Sequence, residues 1–303
     1  MKKYSFFIIK VFILGFIFYE LQDTFQLIEF DKAYALMTDE NKRVNWIFSI
    51  SLLVLFYFLR ALRLKILLGK KLTYLKSLKV SSVTYFGNFF LLANIGEAYK
   101  IFYVSEKTGN SKKKIFAFVF LEKLLDVTVM FFIIVFYFLS SRYGTFISFS
   151  LSIFSIFLIP KLLLIFVNTM ASLYPKFTSL KKYYEQLIYL YMEKLFSVSL
   201  LTIIMWIVNI FSVIIFLGVE NIKTIFGFMS AFAFSTLGIA VPISPGFIGQ
   251  YEFLWVHFYS SVLSLNENEV LVHSVGMHAI IAIVIFLMAL PYLPGIFRRG
   301  FLK

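Results

Sequence analysis

The chain has 303 residues, 60% of them apolar and 20% aromatic, with mean hydropathy +0.87 and a formal net charge of +13. A soluble domain carries about 45–50% apolar residues, so this composition selects a polytopic membrane protein. Cysteine is absent, which excludes disulfides, thiol nucleophiles and cysteine metal sites, and three histidines (His257, His273, His278) are too few for a histidine-rich metal centre. In a soluble chain such basicity suggests nucleic acid. Beside long apolar runs it reads as the Lys and Arg that collect on the cytoplasmic side of spans and face anionic headgroups. No nucleic-acid partner, no metal and no cofactor is expected.

In chain order, six stretches approach the roughly 20 apolar residues of a span: 5–21, 45–66, 115–140, 145–169, 196–218 and 270–290. The first follows Lys2 and Lys3 and lacks a small-residue cleavage site, so it reads as an uncleaved span with a cytoplasmic start. The 22–44 loop mixes acids and bases and fits outside. The run RALRLKILLGKKLTYLKSLK after the second span, with Arg60, Arg63, Lys65, Lys70 and Lys71, fits a cytoplasmic loop.

Two further apolar regions are interrupted. Residues 78–104 break at Asn94–Gly96, in NIGEAYK, and are followed by the basic EKTGNSKKK. Residues 223–263 break at Pro242, Ser244, Pro245, Gly246 and Gly249, and are followed by the acidic SLNENE. Each pair of arms therefore returns to its own side. The first opens inward and the second outward, either as re-entrant hairpins or, for the second, as two complete kinked helices. The fold expected is an all-α polytopic membrane protein forming one domain over 1–303. It has six full spans and two broken hairpins, in inverted halves at about 45–140 and 196–290. Both termini are expected in the cytoplasm. Breaks in corresponding places of two halves meet near the midplane in transporters. The stretch 170–195 reads as a cytoplasmic interfacial helix or as the start of the next span.

Charged residues lie inside this apolar frame. Counted from Lys114, Glu122 lies about 12 Å deep and Asp126 about 18 Å deep. Each such charge costs about 2.5–3.5 kcal/mol to insert. Lys123 is three residues from Asp126, so one reading is a self-neutralised pair that fixes helix packing. The other is a polar cavity shared with Glu97, Lys100 and Glu252. Glu252, in the first turn of a half-helix, also suits a helix N-terminus, and the N–H groups after the second break would suit an anion. His278 is a further polar residue in the last span. Trp46, Trp206 and Trp255 read as interface or packing aromatics.

At these same residues the chain resembles the lysylphosphatidylglycerol synthase transmembrane region, a flippase-like membrane family. The resemblance rests on Gly96, Glu97 and Lys100 in NIGEAYK, on Glu122, Lys123 and Asp126 in LEKLLDV, and on Pro242, Pro245, Gly246, Gly249 and Glu252 in PISPGFIGQYE. Lys123 stands where the family favours arginine, Phe247 where it often has a second glycine, and His278 aligns loosely with a last-span arginine. The resemblance covers about 45–290 and does not include the soluble aminoacyl-transferase domain. It implies translocation of a phospholipid or polyprenyl-linked headgroup across a bacterial inner membrane. In that reading Glu97, Glu122, Asp126 and Glu252 accept a cationic or hydroxylated headgroup or a proton, and Lys100 and Lys123 hold phosphate. Homo-oligomers and envelope-biosynthesis partners would suit it. A membrane-embedded enzyme or accessory factor of glycolipid assembly, with the carboxylates as bases, is the alternative. A non-catalytic scaffold is the third.

Overall fold

The computed structural model describes residues 40–91, 95–145, 178–218, 222–240, 243–263 and 266–297, with isolated positions elsewhere. The first expected span, most of 145–169, Asn94, Pro242 and the basic tail lie outside the described residues. All regular structure among the described residues is helical. The helices are α1 (Glu40–Leu68), α2 (Tyr74–Phe90), α3 (Ile95–Thr108), α4 (Lys112–Tyr143), α5 (Thr178–Leu217), α6 (Ile222–Ile239), α7 (Gln250–Leu263), α8 (Glu267–Ala289) and α9 (Leu293–Phe297). Among the described residues, three segments, Lys42–Lys71, Ser197–Leu217 and Glu267–Gly295, are long and apolar enough to cross a membrane.

Local chemistry sets the starts. Thr73, Ser111 and Asn266 stand in extended conformation before α2, α4 and α8, and each side chain accepts a backbone N–H from the first turn. That satisfies one of the donors a helix N-terminus leaves over. α5 runs unbroken from Thr178, so residues 178–195 continue directly into the span expected at 196–218.

The element order is a long helix, a broken pair and a long helix, given twice: α1, α2–α3, α4, then α5, α6–α7, α8. α1 and α5 pack antiparallel, since Ser49 bonds Ser212, Arg63 bonds Thr202, and Lys194 donates to the Ile66 carbonyl. α2 packs on α8 as α6 packs on α4, and α3 on α4 as α7 on α8. Between apolar helices in lipid, close packing and buried polar contacts replace the hydrophobic drive. α2 offers a face of small buried residues, Ser77, Ser81, Ser82, Thr84 and Gly87. α3 seats on it through Gly96, where an added Cβ would collide with the Thr84 carbonyl oxygen. The outer face of α4 carries exposed Phe116, Phe120, Val127, Phe131 and Phe138 at helical spacing, opposite its acidic residues.

Candidate functional site: a charged cavity where two helix breaks meet

The first break lies after Phe90, and α3 already begins at Ile95, so Gly96 and Glu97 sit in the first turn of α3. The second lies between Ile239 and Gln250 and contains a short 3-10 turn over Pro245–Phe247. The two breaks touch. The Phe89 ring stands 6.2 Å from that of Phe247, and an added Cβ at Gly246 would stand 3.1 Å from the Phe89 carbonyl oxygen. Gly246 and Phe247 both have positive φ, 63° and 62°, so the turn needs left-handed backbone at two successive residues. Only the first is the glycine that adopts it freely.

Side chains bind the second break together. Gln250 accepts from the Ile243 N–H (3.0 Å) and donates to the Gly238 carbonyl (3.0 Å). Glu252 accepts from the Gly249 N–H at 2.8 Å, a capping contact, and its other oxygen meets His278 Nδ1 at 2.5 Å. His278 Nε2 meets the Gly246 carbonyl at 2.8 Å. Both imidazole nitrogens therefore face acceptor oxygens. These contacts occupy Gly249 N–H and Ile243 N–H, while Phe247 N–H bonds Ser244. Three of the N–H groups expected to cradle an anion are thus taken by this segment's own Gln250, Glu252 and Ser244 carbonyl.

Beside the breaks, a charged cluster joins four helices. Asp126 receives Arg63 through both guanidinium ends (2.6 and 3.1 Å), Arg60 at 3.0 Å and the Trp206 indole N–H at 2.9 Å. Glu122 pairs with Lys100 and lies 3.8 Å from Arg63 Nε. Glu97 pairs with Lys123 at 3.2 Å. The self-neutralised Lys123–Asp126 reading is corrected. The two residues sit on one helix, but Asp126 turns to the arginines of α1 and Lys123 to α3. Of the six residues expected on the path, Lys123 and Asp126 line the cavity, and Glu97, Lys100, Glu122 and Glu252 stand behind its wall, Lys100 buried against Glu122.

The cavity has a volume of about 320 Å³. Arg60, Lys123, Asp126, Asn88, Asn209 and Trp206, with Ser235 and Thr236, give it polar walls, and Phe247 and His278 stand at the second break. Arg60 is sandwiched by rings, its guanidinium carbon 4.9 Å from the Tyr85 centroid and 5.1 Å from Phe56. Glu97, Lys100, Glu122, Lys123 and Asp126 are gathered in one cluster, and Glu252 and His278 in a second contact at the cavity's edge. Arg60, Arg63, Trp206 and Gln250 were missed in sequence. The available signal was the spacing of Arg60 and Arg63 inside an apolar run, three apart on one face.

A family model described as "Lysylphosphatidylglycerol synthase TM region" matches residues 7–289. No curated protein and no solved structure matches the chain.

Proposed function

The chain belongs to the lysylphosphatidylglycerol synthase TM region family, a membrane family of lipid or envelope metabolism, and from that premise we propose that it moves lipid headgroups between leaflets. One observation carries the reading: a charged cavity lies inside an apolar helix bundle at the place where two helix breaks meet. Non-helical backbone at membrane depth is tolerated where protein or a wet cavity covers it, and transporters place their substrate sites at such breaks. The headgroup would enter the cavity while its chains stay against the apolar outer faces.

The swapped packing supports inverted halves. α2 on α8 and α6 on α4 are the contacts that a two-fold axis across antiparallel α1 and α5 would exchange. We place six spans and two broken hairpins in this frame, with both termini on the cytoplasmic face of an inner membrane and residues 178–195 at its surface. The enzyme alternative has less support, because Glu97, Glu122 and Asp126 are each paired with a cation, with one oxygen of Glu97 left without a hydrogen-bond partner.

The test is translocation in vesicles. Purified protein is reconstituted with phospholipid labelled on an acyl chain, and dithionite is added outside. Translocation exposes the inner-leaflet label and carries bleaching past the outer-leaflet share. Bleaching that stops at the outer leaflet for phosphatidylglycerol, its aminoacylated form and a polyprenyl phosphate alike, with monodisperse protein, sinks the translocase reading in favour of a scaffold.

A further inference from the structure

We propose that the cavity selects a phosphate ester anion and rejects a headgroup that carries an ammonium group. The inference rests on the translocase reading for its setting and on charge for its content. Arg60, Arg63, Lys100 and Lys123 face Glu97, Glu122 and Asp126, four cations against three carboxylates, so the cluster keeps one positive charge in a low-dielectric site.

The distribution matters more than the sum. The two cations buried deepest, Arg63 and Lys100, are turned into Asp126 and Glu122. The two that line the cavity hold their carboxylates through single contacts. Arg60 uses Nη2 on Asp126 and leaves a buried Nε with no hydrogen-bond partner. Lys123 reaches Glu97 through one oxygen and has a side chain 54% exposed. An entering phosphate oxygen would meet the Arg60 guanidinium and the half-exposed Lys123 ammonium on the cavity wall, the pairing that charge-assisted hydrogen bonds favour. An entering ammonium would find one carboxylate on the wall, Asp126. That carboxylate already accepts from Arg60, Arg63 and Trp206, and the ammonium would stand between Arg60 and Lys123. This reverses the sequence expectation that the carboxylates receive a cationic headgroup, because the carboxylates already hold this protein's own cations.

The experiment is native mass spectrometry of the purified chain in detergent with an equimolar mixture of phosphatidylglycerol, its lysylated form and phosphatidylcholine. Retention of phosphatidylglycerol about tenfold above the lysylated lipid is expected, the scale of one charge-assisted contact. Lys123→Gln and Arg60→Lys should each erase most of that preference, and Lys112→Gln, at the exposed start of α4, should leave it. A thermal melt of each variant confirms folding, and Lys123→Gln, at a half-exposed side chain, keeps the test open if Arg60→Lys unfolds. Competing inorganic phosphate and glycerol 3-phosphate separate the sources. Displacement by either assigns the site to a soluble phosphate, and failure of both assigns it to a lipid phosphate. Equal or better retention of the lysylated lipid overturns the proposal, as does a preference that survives both cavity variants. Binding is read without transport, so selective binding with no vesicle translocation removes the translocase reading alone. Translocation without anion preference removes this inference alone.

Discussion

Asp126 is where the single-residue chemistry concentrates. Its carboxylate neutralises Arg63, whose side chain is 2% exposed, and shares the charge of Arg60. Asp126→Asn would leave two arginines short of a counter-ion, and removing one partner of a buried pair costs about 3–5 kcal/mol. The expected result is a lowered melting temperature in detergent, so loss of translocation in this variant would report on folding. An unchanged melt would mean the arginines find another partner. Phe247 gives a second residue-scale prediction. Its φ of 62° costs a side-chain-bearing residue about 1–2 kcal/mol that glycine avoids. Phe247→Ala loses the ring contact with Phe89 and keeps the backbone strain, whereas Phe247→Gly loses the ring and relaxes the backbone. The glycine variant should therefore melt higher than the alanine one by roughly 1 kcal/mol of stability; the reverse order would mean the turn is not strained. Sequence alone placed the acidic residues within an apolar frame but not their partners. Arg60 and Arg63 were counted with the basic loop because the positive-inside rule sorts charges by position along the chain. Their role depends on which face of α1 meets α4 and α5, and only packing decides that.

At the scale of elements, length and hydropathy made α1, α4 and α8 legible to within a few residues, since a long apolar helix shows its length whatever it packs against. The second break was legible through its Pro and Gly, whereas the first was expected at Asn94–Gly96 and Gly96 lies inside α3. What holds them was hidden, because Gln250 and His278 are ordinary polar residues until the fold brings them to the turn. Two expectations follow for these elements. Gly96→Ala would drive a methyl group into the Thr84 carbonyl and force α3 off α2. A loss of about 3 kcal/mol or more is expected, at the upper end of overpacking costs, seen as a lower melt and poor recovery from membranes. A stable Gly96→Ala protein would show that α3 does not seat so closely. His278→Ala would remove the link from α8 to both Glu252 and the Gly246 carbonyl. Amide exchange over 243–250 should then rise while exchange in the middle of α1 stays unchanged, the mark of a local rather than a global opening. Uniform acceleration throughout the chain would deny the pair its specific hold on the turn.

For the whole molecule, the question is how deep the two breaks lie. α3 and α7 have 14 residues each, about 21 Å of helix, against a hydrocarbon core of about 30 Å. Two pairs entering from opposite faces and crossing completely would hold their tips about 30 Å apart. Instead Phe89 and Phe247 are in ring contact, so tips entering from opposite faces must meet within the membrane. The chain has no cysteine, which makes single-cysteine labelling direct. Asn110→Cys, between α3 and α4, should react with a membrane-impermeant maleimide only from the cytoplasmic side. Glu267→Cys, at the start of α8, should react only from the outer side. Leu91→Cys, just past α2, should react slowly from either, because any reagent must first pass into the cavity. If Leu91→Cys instead reacts as fast as Glu267→Cys from outside, α2 and α3 cross the membrane. The second pair must then enter from the same face for the tips to touch, and the inverted arrangement of the halves is lost with it.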